Sequence, residues 1–296
     1  MPIPANDPMV AVPMVTPFDA SDRIDFDAAQ RNVDRWCQTA NRVFIIGSQS
    51  GEEFMMSEPE RVELLRCVTG ALVGERVTAG GIDAPSVVET LRQAERYAEA
   101  GAELVRIRFP RIESEVVPYF EQVIPRCPVP VLLMHQSSPA SFGVAAKPAG
   151  PPELLGDVAS MDGVFGYVTD HDMRFEARVR RFVPKDKRFW ICNGSMILSG
   201  TLIGCNGTTT AFSNIWPDAL QQLLEQGMAG NYEEVESIQE QIRRIDEVML
   251  PYLATGIKTC LSLMGFEGMR ARQPSQPMAD QDLRRLQLEM ELAGLI

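Results

Sequence analysis

The sequence of 296 residues has only two histidines, no closely paired cysteines and no long apolar run. Its six cysteines are scattered, and none belongs to a Cys-x-x-Cys pair, so they indicate neither a zinc site nor a disulfide framework. No apolar run approaches the ~20 residues that are needed to span a bilayer. The N-terminus lacks a basic segment followed by an apolar one, so we expect no signal peptide and a cytoplasmic protein.

Positive charge is also scarce. Asp and Glu number 40 against 28 Lys and Arg, which gives a formal net charge of −12. A chain of this charge is repelled by nucleic acid and by anionic membranes, which argues against both as partners. Any anionic substrate must instead be attracted by a few well-placed cations. With 45% hydrophobic and 23% charged residues, the composition is that of a soluble globular protein with a full core.

Short apolar runs alternate with helical patterns along the chain, which predicts parallel strands joined by right-handed helical crossovers. Eight runs indicate strands, at residues 10–18, 42–47, 76–82, 104–109, 130–135, 164–169, 189–194 and 207–212. Eight such units predict an α/β fold of the (β/α)8 TIM barrel type. A doubly wound open sheet is the alternative, but no strand is followed by a Gly-x-Gly-x-x-Gly turn.

The last part of the chain is predicted to be helical. We expect residues 1–216 to form the barrel and residues 217–296 to form a C-terminal helical region. A narrow apolar stripe in this region suits packing on the barrel or on a second subunit; it consists of Val235, Ile238, Ile242, Ile245 and Met249.

Strand four places two arginines where a TIM barrel has its active site, at the carboxyl ends of the strands. Its apolar residues alternate with Arg106 and Arg108, so the arginines are predicted to point toward the barrel axis. Buried guanidinium groups need an anionic partner. We expect either a structural ion pair with a carboxylate from a neighbouring strand or a site for a substrate carboxylate.

Other strand ends carry candidate binding groups. The second strand runs into Ser48, Gln49, Ser50 and Gly51, a turn of small and polar residues that can aim backbone N–H groups at an anion. Thr16, Asn193 and Asn214 lie at or just beyond three further strands, where each can hold a substrate hydroxyl or satisfy turn backbone.

Both histidines fall at adjacent strand ends. His135 ends strand five, and His171 follows strand six between Asp170 and Asp172. An imidazole titrates near working pH, so this pairing indicates general acid–base chemistry. The alternatives are satisfied structural histidines and aspartates that cap the following helix. A divalent metal held by these groups is a third, less favoured interpretation, since no His-Glu-x-x-His spacing supports it.

Several short motifs occur together in one order. They are Val-Thr-Pro-Phe at 15–18 with Ile-Asp at 24–25, the turn at 48–52 followed by Ser57, Glu60 and Arg61, residues 204–207 with Asn214 and Pro217, and Lys258 with Arg-Ala-Arg-Gln-Pro at 270–274. In these motifs the chain resembles the dihydrodipicolinate synthase and N-acetylneuraminate lyase family of (β/α)8 lyases over nearly its whole length. The resemblance implies that barrel, a 2-oxo acid as substrate, and a homodimer or homotetramer.

The resemblance also implies a Schiff-base lysine on strand six and a proton-shuttling tyrosine on strand five. The lysine position falls at Val168 and the tyrosine position at Met134, beside His135. A valine cannot form an imine, so the covalent mechanism is not available there. Lys147, in the loop after strand five, is a possible substitute; Lys258 matches a family lysine outside the imine site.

The leading hypothesis is therefore a lysine-independent lyase or hydratase that acts on a small carboxylate or 2-oxo acid and needs no cofactor. The loop at residues 48–51 and the two arginines would hold the carboxylate. His135 would be the general acid or base, and His171, steadied by Asp170, the second proton carrier. The alternatives are a non-catalytic relative that binds or senses a carboxylate, and a divalent-metal lyase that uses both histidines and the adjacent aspartates.

Overall fold

The computed structural model describes residues 7–136 and 147–296 of the chain. Eight parallel strands form a closed barrel in which each strand pairs with the next and β8 pairs with β1, so the predicted (β/α)8 barrel is confirmed and the open sheet is excluded. The strands are β1 Met9–Pro13, β2 Asn41–Ile46, β3 Val77–Ile82, β4 Leu104–Arg108, β5 Val131–His135, β6 Val164–Thr169, β7 Arg188–Ile191 and β8 Gly207–Thr208.

Twelve α-helices occur in the described part of the chain, and none of them is long and apolar enough to cross a bilayer. They are α1 Phe26–Trp36, α2 Glu58–Ala71, α3 Val87–Glu99, α4 Glu113–Val123, α5 Pro152–Ser160, α6 Met173–Val179, α7 Ile197–Leu202, α8 Phe212–Ile215, α9 Pro217–Ala229, α10 Glu236–Met249, α11 Ala254–Leu263 and α12 Asp280–Leu292.

The sequence sets several of these helix starts through side-chain caps. The Asp25 carboxylate accepts from the backbone N–H of Ala28 and fixes the start of α1. At α2, Ser57 and Glu60 form the reciprocal capping box that their spacing predicts, which satisfies two otherwise unpaired donors. The carboxyl ends of two strands differ from the predicted ends at residues 18 and 212. β1 ends at Pro13, and β8 has two residues because the chain turns into α8 soon after Thr208.

Alternation along the strands divides the apolar side chains into two cores. The barrel interior holds a small cluster that includes Met134, Val168 and Trp190. The larger cluster fills the space between the strands and the surrounding helices, and it includes Tyr167, whose predicted outward direction is confirmed. Val168, at the predicted imine position, thus faces the inside of the barrel.

The C-terminal helices close the barrel and cover one side of its mouth. Helix α9 packs against α7 and β1, which makes it the eighth helix of the barrel wall, although it lies beyond residue 216. Helix α10 packs on the 3-10 helix Gly194–Met196, where Gln239 Nε2 donates to the carbonyl of Gly194 at 3.0 Å. Its apolar stripe is therefore used within the chain. The homo-oligomer implied by the resemblance stays a prediction.

The strand ends approach each other so closely at one point that only glycine fits. A Cβ added to Gly81 at the end of β3 would stand 1.8 Å from the carbonyl oxygen of Gly47. We expect Gly81→Ala to lower the free energy of unfolding by roughly 3 kcal/mol, since the backbone of the neighbouring strand must move. Denaturant titration measures this. The control is Gly70→Ala in α2, where a Cβ meets nothing within 4 Å. This substitution should raise the free energy of unfolding by about 0.5–1 kcal/mol, because alanine favours a helix more than glycine does. Equal losses in both variants would contradict the steric argument.

Candidate active site

A cavity of about 290 Å³ opens at the carboxyl ends of the strands, where a TIM barrel places its chemistry. Seven of the residues predicted from the sequence line it: Ser48, Gln49, Ser50, Arg106, Arg108, Asp170 and Asn193. Polar groups that sequence reasoning missed also line it: Gln136, Cys192, Thr209, Thr210 and Asp246. Much of the remaining wall is apolar and comes from Met134, Phe212 and the segment joining α10 to α11.

Two buried arginines and one buried glutamate form the charged side of the cavity. Arg106 donates from Nη2 to Glu53 Oε2 at 3.2 Å, and Arg108 donates from Nη2 to the other oxygen of the same carboxylate. All three residues are about 95% buried. Burial alone raises the pKa of the Glu53 carboxyl, but the attraction of both guanidinium groups outweighs it and holds that pKa below its usual range. The predicted ion pair is thus present, and its partner comes from the loop after β2 instead of from a neighbouring strand.

Two glycines, Gly47 and Gly81, leave room for the Arg106 side chain. Its Nη2 donates to the carbonyl of Gly47 at 2.8 Å, and a Cβ on Gly81 would stand 2.8 Å from the same nitrogen. Gly47 has φ +81°, a left-handed conformation that glycine adopts without strain and that turns its carbonyl toward the arginine. Arg108 also has Asp83 at 3.5 Å, a carboxylate that is shared with Arg111.

A chain of hydrogen bonds fixes the side chains at the rim. Arg108 Nε donates to Gln136 Oε1 at 2.6 Å, and Gln136 Nε2 donates to Gln49 Oε1 at 3.2 Å. These hydrogen bonds orient both amide groups, so the Nε2 group of Gln49 remains available as a donor. Within the described residues Gln49 Nε2 donates no hydrogen bond. The arginine pair and the turn after β2 therefore form one rigid polar surface.

Two of the predicted binding residues support this turn instead of lining the cavity. Thr16 Oγ1 donates to the carbonyl of Gly51 at 2.7 Å, and the backbone N–H of Gly51 donates to Ser48 Oγ at 3.2 Å. A Cβ on Gly51 would stand 2.5 Å from the carbonyl oxygen of Met14, so this close approach requires glycine. The predicted substrate contacts of Thr16 and Gly51 are corrected accordingly.

Asn214 is likewise structural. Its Oδ1 accepts from the backbone N–H of Val15 at 3.1 Å, and its Nδ2 donates to the carbonyls of Pro13 and Ala211. The amide is buried and already bonded on both sides, so it has nothing left for a substrate. The prediction that Asn214 binds a substrate hydroxyl does not fit this placement.

Asp170 faces the cavity from the end of β6. Strand alternation puts it on the same side as Val168, two residues earlier, and its backbone N–H continues the ladder by donating to the carbonyl of His135 at 2.9 Å. Burial raises the pKa of the Asp170 carboxyl to about 7. A carboxyl group with this pKa exchanges protons readily at neutral pH, which is the property of a general acid or base.

His135 lies on the other side of the barrel wall. Its ring is buried between β5 and α6, with Nδ1 2.7 Å from Glu176 Oε1 and 2.8 Å from the hydroxyl of Tyr167. Its Nε2 accepts from the backbone N–H of Ala149 at 3.1 Å, so the proton of the neutral ring sits on Nδ1. The predicted role of His135 as general acid or base in the cavity is therefore corrected: adjacent residues of a strand face opposite sides, and Met134 takes the inward side.

His171 belongs to the same outer cluster. Its ring stacks on that of His135 with 4.8 Å between centroids, and burial lowers the pKa of His171. His171 does not line the cavity that Asp170 lines, so the predicted role of His171 as the second proton carrier, steadied by Asp170, does not fit this placement. Asp172 caps α6 by accepting from Phe175 N at 3.0 Å, as the alternative interpretation has it. The described residues contain no group of three His, Cys, Asp or Glu side chains placed to hold a metal ion.

Comparison with known proteins identifies the family. The sequence profile of the dihydrodipicolinate synthetase family matches residues 8–292. The chain belongs to this family. It is 26% identical to an uncharacterized DapA-like lyase of Halobacterium salinarum over 97% of this chain and 93% of that protein. It is 24% identical to a 4-hydroxy-tetrahydrodipicolinate synthase of Chlorobium phaeovibrioides over 97% of both chains. Its fold matches that of the enzyme from Cyanidioschyzon merolae crystallised with lysine, with a TM-score of 0.88 at 20% identity over 99% of this chain and 100% of that one.

The cavity of this family member contains no lysine. The chain has four lysines, all within the described residues, and none of them lines the cavity. Lys147 is exposed, and Lys185 and Lys187 precede β7 at the opposite end of the barrel. Lys258 is buried in an ion pair with Glu52, behind the turn that follows β2. Val168 and Met134, the positions at which the sequence resemblance predicts the family lysine and tyrosine, point into the barrel interior.

Glu53 should be the residue on which the charged side of the cavity depends. Glu53→Gln leaves two buried guanidinium groups without their shared anion, so we expect a loss of about 3 kcal/mol or more in unfolding free energy at pH 7. Denaturant titration measures the loss. Glu267→Gln is the matched control, because it breaks an exposed pair with Arg31 and should cost less than about 1 kcal/mol. Similar losses of unfolding free energy in the two variants would mean that Glu53 does not stabilise the buried arginine pair.

Asp170 should destabilise the fold when it is ionised. A raised folded-state pKa means that the native state holds its proton from the unfolded value near 3.8 up to about 7, so this group lowers stability as pH rises through that window. We expect Asp170→Asn to raise the melting temperature at pH 8 and to change it little at pH 4. Calorimetric scans at both pH values measure this difference. A gain of equal size at the two values would contradict the raised pKa.

Proposed function

We propose that this chain is a lyase that binds a small carboxylic acid, foremost a 2-oxo acid, in the cavity and acts on it without forming a Schiff base. The reaction would be an aldol cleavage or condensation, or the addition or loss of water. The observation that carries the proposal is a buried arginine pair facing a cavity that no lysine lines. Membership in a family of lyases supports the reaction class.

The charges on the arginine side of the cavity favour an anion of one negative charge. Arg106 and Arg108 supply two positive charges and Glu53 one negative charge, while Asp83 is balanced by Arg111. On this arginine side of the cavity one positive charge remains in a buried setting, where it attracts an anion far more strongly than it would in water, whereas Asp170 and Asp246 line other parts of the wall. This local positive charge would attract an anionic substrate although the overall charge of the chain is −12.

The polar rim and the apolar wall suit a short acid. The oriented amide of Gln49 and the hydroxyls of Ser48 and Ser50 stand beside the arginines, so a carboxylate would have several donors in reach. A volume of about 290 Å³ lies at the lower end of ligand pockets, which favours substrates of a few carbon atoms.

Asp170 takes the proton-transfer role that sequence reasoning gave to His135. It is the carboxyl group on the inward face of β6, and its pKa of about 7 lets it both accept and donate a proton near neutrality. As the base it must be ionised, so a rate limited by proton abstraction should rise with pH and level off above about pH 7.

Binding measurements test the proposal first. We expect titration calorimetry to detect saturable binding of pyruvate and other short 2-oxo acids, and Arg106→Gln to weaken it at least tenfold, because the excess positive charge is lost. The control is Arg31→Gln, which removes an exposed arginine of the barrel surface. No binding of any acid in a panel, or unchanged affinity in Arg106→Gln, would contradict the proposed site.

Borohydride trapping and turnover assays then test the chemistry. The native protein should show no mass increase after treatment with borohydride in the presence of pyruvate. Val168→Lys puts an amine at the inward position of β6, so this variant should form an imine with pyruvate that borohydride traps. An adduct on the native protein would contradict the non-covalent mechanism. Saturable binding with no release of a 2-oxo acid from any hydroxy-oxo acid would favour the sensing relative over the enzyme.

A further inference from the structure

A lyase without an imine must place the electrons of its reaction elsewhere. A Schiff-base lysine is useful because the protonated imine nitrogen takes up an electron pair when a bond at the neighbouring carbon breaks. Without it, the pair moves onto the substrate oxygen and forms an enolate. That charge needs a preorganised donor or cation in a site shielded from water.

Arg106 has nitrogens that the protein does not use. Its Nη2 serves both Gly47 and Glu53, but Nε is buried without a hydrogen-bond partner in the described residues, and no bond among them uses Nη1. Arg108 differs, because its nitrogens face Gln136, Glu53 and Asp83. The guanidinium group of Arg106 therefore has donors left for a ligand.

The position of Arg106 also suits this task. It enters the barrel interior from β4, two strands from Val168 on β6, and its guanidinium is held beneath the turn at Gly47. Glu53 shares its negative charge between two arginines, so it orients Arg106 without neutralising the pair. A fixed, still positive donor inside the barrel needs no rearrangement when charge develops on a ligand oxygen.

We propose that Arg106 is a catalytic residue that takes the place of the imine, by holding the C2 oxygen of a 2-oxo acid and stabilising the enolate. This inference rests on the proposed function. Asp170 removes a proton from C3, the C–H electron pair forms the C2–C3 double bond, and the carbonyl π electrons move to the C2 oxygen beside Arg106. Return of a proton from Asp170 to C3 restores the acid, so the step needs no other reactant.

Hydrogen exchange of pyruvate measures this step without knowledge of the second substrate. Pyruvate is the smallest 2-oxo acid with hydrogens at C3, and in D₂O each reversal of the step replaces one by deuterium. We expect the native protein to catalyse loss of the methyl proton signal in NMR spectra, with no borohydride-trapped adduct. At saturating pyruvate, Arg106→Gln should exchange about 100-fold more slowly.

The neighbouring arginine gives a matched comparison. Arg108→Gln removes the same charge from the same ion pair but leaves the donors of Arg106, so it should weaken pyruvate binding more than it slows exchange at saturation. Arg106→Lys keeps the charge and tests whether Arg106→Gln fails only because it is misfolded; it should retain more exchange than Arg106→Gln, and calorimetric scans establish that each variant is folded.

The outcomes separate this inference from the proposed function. Failure of the native protein to bind pyruvate overturns this inference, and failure to bind any acid of the panel overturns the proposed function as well. Binding without exchange overturns the role of Arg106 and leaves the carboxylate site standing. Exchange that is as fast in folded Arg106→Gln as in the native protein, or exchange accompanied by a trapped adduct, also overturns the inference. Exchange lost in Arg106→Gln and largely kept at saturation in Arg108→Gln supports it.

Discussion

The site depends on a single carboxylate placed between two guanidinium groups inside the barrel. Two arginines on one inward strand face would repel each other and could not be desolvated together without an anion. Glu53 supplies that anion from the loop after β2, and so ties the loop to β4. The adjacent Glu52 faces the opposite way, toward Lys258 and the backbone N–H of Arg272. The loop is thus held from both sides, which fixes the polar turn that precedes it.

This arrangement divides the mouth of the barrel by charge. The arginines approach from β4, while Asp170 approaches from β6 and Asp246 from α10. A ligand in the cavity therefore meets cationic donors on one side and carboxyl groups on another, with Cys192 between β6 and β8. Burial raises the pKa of the Cys192 thiol well above its usual value, so it stays protonated and is no nucleophile.

The histidine cluster shows why residue type alone misdirects a search for catalytic groups. His135, Glu176 and Tyr167 satisfy one another in the layer between strands and helices, and His171 stacks on them from the side. The sequence analysis favoured the two histidines because histidines are scarce in this chain and both lie at strand ends. The direction of each side chain decides whether it reaches the cavity, because period-two alternation places Met134, Gln136 and Asp170 on the cavity wall and Val168 in the barrel interior.

The sequence by itself determined the barrel, its helix caps and the inward direction of both arginines, because these follow from local periodicity and from residue identity at capping positions. It also contained the signal that separates Asp170 from His135, since the alternation that places Val168 inward places Asp170 inward too. Only the tertiary structure decided which carboxylate answers the arginines, because Glu53 is joined to them by a loop whose path no pattern predicts. The contribution of Asp246 from α10 likewise depends on how the C-terminal helices pack over the barrel, which arises from contacts between distant parts of the chain.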